Sequence, residues 1–256
     1  MPRDVVVGSV ILILALFGIL WYGGSRLAPT APVYTGEMSE DSQYYLIEAH
    51  YPASTPLRES AGEKANQAAV ELLKADVEDG VRSFKEGTDP SQLSEEFIQE
   101  MRLGTERRYT LAITYEKASS PASISYIFTS YEDTFGAHPN TNFLTETFDL
   151  KTGKHLALKD LFVTSSKYLD AISTAARTQL PVQIANVTGI PLSEVDTASI
   201  NTGTEPTDQH FQNFYLIEDA LVILFPPYQI GPYSLGPQEL SISRSELKNI
   251  LKPSYQ

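Results

Sequence analysis

The feature that most constrains this chain is an uninterrupted apolar run over residues 5–22. The run is about 18 residues long and carries no charge, which is close to the roughly 20 residues that a helix needs to cross a bilayer core. Trp21 and Tyr22 end it, and aromatic rings favour the headgroup layer. The run therefore predicts a transmembrane helix within residues 1–26, followed by a tether over residues 27–42.

Two interpretations of this run are open, an uncleaved signal anchor and a cleaved signal peptide. The candidate cleavage sites near Ala28 and Ala31 are each followed by proline, which disfavours cleavage. The run also exceeds the roughly 7–15 apolar residues that are typical of a signal peptide. We therefore expect a single-pass anchor in the cell membrane. Because a long domain follows a short N-terminal stub, we expect the C-terminal domain to be extracytoplasmic.

The composition excludes several classes of function. The chain has a formal net charge of -13 and a pI near 4.7, so it cannot neutralise many phosphates, and we expect no nucleic-acid binding. A basic partner would instead be attracted to it. The chain contains no cysteine, which excludes disulfide, thiolate and cysteine–metal chemistry.

The spacing of apolar residues predicts the secondary structure. Alternation predicts strands, and steps of three or four residues predict helices. Strands are predicted over residues 45–51, 109–115, 124–128, 144–150, 220–225 and 238–243, and helices over residues 61–84, 91–102, 165–184 and 245–251. Gly153 is predicted to take a positive φ in a hairpin turn. The predicted fold class is α+β, with antiparallel sheets and helices packed on one face.

Three stretches, taken in order, resemble a known family. They are residues 131–140, residues 148–162 and residues 225–237. On these residues the chain is similar to the bacterial extracytoplasmic DUF3298 family, preceded by its usual companion DUF4163. The resemblance assigns residues 43–130 to a DUF4163-like α+β segment and residues 131–256 to a DUF3298-like α+β domain.

The resemblance implies a function in the cell envelope. This domain pair occurs in the lysozyme-binding part of the sigma-V anti-sigma factor, and beside the catalytic domain of some peptidoglycan deacetylases. Only residues 1–4 precede the apolar run, and few residues follow Leu251, so we expect neither sigma-factor sequestration nor a deacetylase domain in this chain.

The expected function is therefore a membrane-anchored binding module, not an enzyme and without a cofactor. Its expected partner is a cell-wall component such as peptidoglycan, or a wall-attacking enzyme such as lysozyme. Two alternatives stay open: a peptidoglycan-active hydrolase, and a sensor subunit that signals through a separate membrane partner.

Two loops hold the candidate binding residues. In the first, glycine and proline flank an imidazole and an amide that could face a ligand, or that could simply cap the turn. In the second, prolines stiffen the backbone and tyrosines offer rigid area with a polar tip, although the loop could instead pack on a sheet edge. The candidate residues are His138 and Asn140 in the first loop, and Pro226, Tyr228, Pro232 and Tyr233 in the second.

Hydrolytic and metal chemistry have weak support in the sequence. Glu132 and Asp133 are adjacent, so on a strand they face opposite ways and cannot form a facing carboxylate pair unless another residue joins them. Glu116 and Asp149 are possible third members, but nothing in the sequence brings them together. The four histidines are far apart, without the spacing of metal ligands. We therefore expect no metal site.

Overall fold

A computed structural model of the chain describes residues 36–256. The predicted transmembrane helix and most of the predicted tether lie outside the described residues. Among residues 36–256, none of the helices combines the length and apolar character needed to cross a membrane.

The described residues contain eight strands and five α-helices, which are numbered here in chain order. They are β1 (Gly36–Asp41), β2 (Tyr45–Tyr51), α1 (Glu63–Gly87), α2 (Glu95–Glu100), β3 (Tyr109–Ser119), β4 (Ser123–Asp133), β5 (Asn140–Asp149), α3 (Tyr168–Thr188), α4 (Thr197–Gly203), β6 (Phe214–Leu216), β7 (Ala220–Phe225), β8 (Gln238–Ser243) and α5 (Arg244–Leu247). The predicted strands and the two long helices are confirmed. Gly153 has a φ of 69°, as predicted.

The first five strands form one sheet in the order β1-β2-β3-β4-β5. The prediction of purely antiparallel sheets is wrong at one pair, because β2 and β3 are parallel, with Tyr45 opposite Tyr109. Parallel neighbours need a long crossover, and α1 lies between these two strands in the chain. The crossover places α1 against β2 and β3, where Leu73 and Val77 are buried.

The second sheet has the order β6-β7-β8 and is antiparallel. It covers the other face of the first sheet, where the hydroxyl of Thr145 accepts a hydrogen bond from Phe214 N and that of Thr147 donates one to Phe214 O. The first sheet therefore has a helix on one face, as predicted, and the second sheet on the other. Residues 123–128 of β4 are buried on both sides of the strand, because one side faces α1 and the other faces β6.

The central strand of the second sheet is β7, in which all six residues are buried, as predicted. The apolar core beside the second sheet includes the side chains of Leu180 in α3 and Phe225 in β7, which are fully buried. Helix α3 therefore packs on the second sheet, whereas α1 packs on the first.

Two predicted boundaries differ from the observed elements. Residues Gly36–Asp41, predicted as part of the tether, form the edge strand β1 paired with β2. Their side chains are mostly polar, so they give no hydrophobic alternation. The predicted boundary between residues 130 and 131 falls inside β4, so the first sheet contains strands from both predicted segments.

Candidate functional site

Two loops meet at the edge of the two sheets where β4 and β7 finish. The hairpin loop (residues 134–139) joins β4 to β5, and the proline-rich loop (residues 226–237) joins β7 to β8. The imidazole of His138 in the first loop stacks on the ring of Tyr233 in the second, with 3.7 Å between ring centroids. Tyr228 lies 5.4 Å from Tyr233 by the same measure. We call these three side chains the aromatic cluster.

Hydrogen bonds fix the aromatic cluster. The carbonyl oxygen of Pro139 accepts from Tyr233 Oη at 2.8 Å and lies 2.8 Å from His138 Nδ1. Because a carbonyl only accepts, Nδ1 carries the hydrogen, and Nε2 is the acceptor whenever the imidazole has only this one N–H. Tyr228 Oη lies 2.8 Å from this Nε2 and donates to it. The imidazole is therefore held by both loops.

Tyr228 combines an exposed ring with a constrained backbone. Gln229 N donates to Pro226 O at 3.2 Å, which closes a tight turn, and Tyr228 has a φ of 71°. Glycine usually occupies this position when φ is positive, and strained non-glycine residues concentrate at functional sites. Tyr228 is 62% exposed although His138 holds its hydroxyl. The turn therefore presents a rigid aromatic face to solvent.

The hairpin loop is also held on its other side. Asp133 accepts a hydrogen bond from Phe135 N at 3.0 Å, and Phe135 has a φ of 63°. Its ring stacks on Tyr109 at the start of β3, with 5.6 Å between centroids. The loop that carries His138 is thus anchored to both sheets.

The predicted site residues differ in where they lie. The aromatic cluster brings together His138, Tyr228 and Tyr233, and Pro226 closes the turn beside Tyr228. Pro232 is exposed and precedes the short helical turn that carries Tyr233. Asn140 is exposed and opens β5 opposite Glu132. The structure thus joins two loops that lie far apart in the sequence.

The carboxylates considered for hydrolysis have separate partners. Asn142 donates to Glu132 at 3.4 Å, and Asp149 accepts from Thr152 and Tyr255 beside the turn after β5. Hydrogen bonds to Thr152, Tyr255 and Lys151 hold the pKa of Asp149 below its usual value despite partial burial. Asp149 is therefore a turn-capping residue.

Glu116 has a partner that the sequence did not indicate. It lies on the face of β3 that the second sheet covers, near Glu239 of β8, and burial followed by the charge of Glu239 raises its pKa to about 7. Burial also raises the pKa of Glu239, although Tyr215 Oη donates to it at 2.5 Å. The only signal in the sequence was a charged residue among the small and apolar positions of a strand.

A second ionisable group lies on the face that α1 covers. His155 Nε2 pairs with the carboxylate of the buried Glu146, and this hydrogen bond raises the pKa of His155. Burial raises the pKa of Asp76 on α1 to about 6; the charge of Glu146 adds to the effect and that of His155 opposes it. Within residues 36–256, no three histidine, aspartate or glutamate side chains are placed to hold a metal ion.

The fold and the paired loops define an α+β domain in which two packed sheets support an aromatic surface. Residues 159–245 match the family described as "Protein of unknown function (DUF3298)", which confirms the predicted DUF3298 domain. A DUF3298 family protein of Bacteroides fragilis has a similar fold, with a TM-score of 0.55 and 19% identity over 85% of this chain and 92% of that chain.

Two curated proteins are similar in sequence. Peptidoglycan-N-acetylmuramic acid deacetylase PdaC of Bacillus subtilis is 28% identical over 193 residues, which are 74% of this chain and 38% of that protein. Esterase Rv3036c of Mycobacterium tuberculosis is 27% identical over 143 residues, 54% of this chain and 59% of that protein. The chain thus spans less than two thirds of the length of either relative.

Proposed function

We propose that this protein is an extracytoplasmic binding module of the cell envelope, anchored in the membrane by residues 5–22. Its ligand is a cell-wall component such as peptidoglycan, or a wall-attacking enzyme such as lysozyme. The similarity to a peptidoglycan deacetylase over 74% of the chain supports the link to the wall. A DUF4163-like segment over residues 43–130, and the alternative role of a sensor subunit that signals through a separate membrane partner, belong to the same proposal.

The observation that carries the proposal is the aromatic cluster. Two loops, 90 residues apart at His138 and Tyr228, are hydrogen-bonded to each other, and Tyr228 is 62% exposed. A rigid exposed aromatic side chain loses little conformational entropy when a ligand covers it. The net charge of -13 would also speed the approach of a basic protein such as lysozyme, although charge affects rate more than affinity.

The test is binding by the full chain in a sugar-free polyoxyethylene detergent. Lysozyme would be titrated by calorimetry, and purified peptidoglycan would be tested by co-sedimentation. We expect Tyr228→Ala to weaken binding to the true ligand by about tenfold or more, as truncation of a central aromatic contact does. Tyr228→Phe, which keeps the ring but loses the bond to His138, should have a smaller effect.

Leu192→Ala is the matched control, because Leu192 is 54% exposed and lies between α3 and α4. Leu192→Ala should change the free energy of unfolding by less than about 0.5 kcal/mol, since it changes an isolated surface side chain. Tyr228→Ala should lower it by about 1 kcal/mol, because the bond to His138 is lost, and circular dichroism would verify that both variants are folded. Unchanged affinity of Tyr228→Ala for both ligands would reject the cluster as the binding surface. Failure of the wild type to bind either ligand would reject the function.

A hydrolase acting on peptidoglycan is the second candidate. It is favoured by the neighbouring carboxyl groups of Glu116 and Glu239, whose raised pKa values suit a general acid, and by the similarity to an esterase. Wild-type protein would then release product from purified wall fragments, and Glu116→Gln would abolish release without weakening binding. No product from the wild type would eliminate this candidate.

A further inference from the structure

Arg107 lies beside the hairpin loop, with its guanidinium over the ring of Phe135 at 5.4 Å from the centroid. The side chain is exposed. The other two arginines of this segment form ion pairs, Arg102 with Glu106 and Arg108 with Asp41. Among the described residues, no carboxylate forms an ion pair with Arg107. An oriented guanidinium therefore faces solvent with its hydrogen-bond donors available.

The hairpin loop connects this guanidinium to the aromatic cluster. Phe135 and His138 are three residues apart, so the backbone between them spans at most about 11 Å. Phe135 contacts Arg107 on one side, and His138 holds Tyr228 on the other. A cation and an exposed aromatic ring thus flank one short, doubly anchored loop.

The two ends of this surface recognise different chemical groups. A guanidinium binds a carboxylate through two parallel hydrogen bonds, and the stacking on Phe135 limits the conformational entropy that Arg107 would lose on binding. A tyrosine face can accept the C–H groups of a sugar ring through weak contacts. A single ligand that satisfies both ends carries a carboxylate on a saccharide.

We propose that the aromatic cluster and Arg107 together bind a saccharide that bears a carboxylate, with Tyr228 against a sugar ring and Arg107 on the carboxylate. This inference rests on the proposed function, because it names the ligand class of the same surface. The net charge of -13 repels anions at long range, but screening confines that effect to about 8 Å at physiological salt. The local pairing with Arg107 therefore decides selectivity.

The experiment compares two disaccharides with the full chain in the same detergent. N-acetylglucosaminyl–N-acetylmuramic acid carries a carboxylate, and N,N′-diacetylchitobiose has similar rings without one. We expect the wild type to bind the first disaccharide about tenfold to a hundredfold more tightly, as for a hydrogen-bonded charged pair. Arg107→Gln should remove this preference and leave the affinity for chitobiose unchanged, while Arg107→Lys should keep part of it.

Arg102→Gln is the matched control, because its guanidinium already pairs with Glu106, and it should keep the full preference. Circular dichroism would verify that each variant is folded. Equal wild-type affinity for both sugars, or a preference that survives Arg107→Gln, overturns the inference while wall binding stands. Binding of lysozyme with no binding of either sugar overturns it too, and leaves the protein-binding form of the proposed function. If sugars, peptidoglycan and lysozyme all fail to bind, both proposals fall.

Discussion

The two faces of the five-stranded sheet bury ionisable groups in different ways. On the face covered by the second sheet, Glu116 lies near Glu239, and the close partner of Glu239 is a tyrosine hydroxyl. On the face covered by α1, Asp76 lies near Glu146, and His155 supplies a positive charge. Burial raises the pKa of a carboxyl on both faces, but among residues 36–256 only the face covered by α1 has an imidazole that opposes the shift.

The layer that covers each face therefore sets how the stability of that face responds to pH. A carboxyl group whose pKa is raised on folding stabilises the folded state most at pH values below its pKa in the unfolded chain. That contribution is lost as the pH rises through its pKa in the folded chain. This stability is lost between about pH 4.5 and 7 for Glu116, and between about pH 3.8 and 6 for Asp76. Both clusters therefore make the fold more stable in mild acid than at pH 8.

The largest effect is expected from Glu116→Gln, which removes the ionisation between the two sheets. At pH 8 the variant should be more stable than the wild type by about 2 kcal/mol, after allowance for partial exposure. At pH 4.5 the two should be similar. Denaturant unfolding at both pH values measures this, with the exposed Glu205→Gln as control. An equal difference at both pH values would show that packing, and not ionisation, is responsible.

Asp76→Asn, on the face that α1 covers, should stabilise the protein less than Glu116→Gln does. Asp76 is half-buried and His155 already offsets part of the repulsion, so we expect about 1 kcal/mol of stabilisation at pH 8. The difference should develop between about pH 3.8 and 6, a lower window than for Glu116. Glu71→Gln, on the exposed side of the same helix, is the control. If the stability difference for Asp76→Asn developed over the same pH range as that for Glu116→Gln, the two faces would not differ in their response to pH.

His155→Gln should have the smallest effect and the opposite sign. The pKa of His155 is raised by Glu146, so its stabilising contribution is present below its unfolded pKa, near 6.5, and is lost as the pH rises through the folded value. We expect a loss of about 0.5 kcal/mol at pH 6 and almost none at pH 8. The free energies of unfolding at these two pH values measure it. A loss that is the same at pH 8 would mean that the imidazole acts only by packing on Phe148.

Local patterns predicted most of the long elements. Alternation found β2 and β3, helical spacing found α1, and an apolar run found β7, because burial of one or both faces leaves a period in the sequence. The same patterns missed β1, whose residues are mainly polar, and β6, which has only three residues. Alternation could not give the parallel pairing of β2 with β3 either, since it reports which side of a strand is buried and not which strand lies beside it.

The candidate site was predicted in parts. Glycine, proline and tyrosine content marked the loops that carry His138 and Tyr228, but nothing in the sequence joined residues that are 90 positions apart. Arg107 and Phe135 were missed because a cation–π contact between separate elements leaves no periodic signal. The proximity of Glu116 to Glu239 was also missed, because a contact between two separate sheets leaves no periodic signal in the sequence.

The acidic charge, the chemistry that a cysteine-free chain excludes, the long elements and the two stiff loops can be read from the sequence, since they follow from composition and from contacts between near neighbours. The shared surface of the loops, the exposure of Tyr228 while its hydroxyl is held, and the proximity of Glu116 to Glu239 arise from tertiary packing. The physical reason is that burial leaves a local period in the chain, whereas the partner of a buried or stacked group depends on how two separate sheets pack.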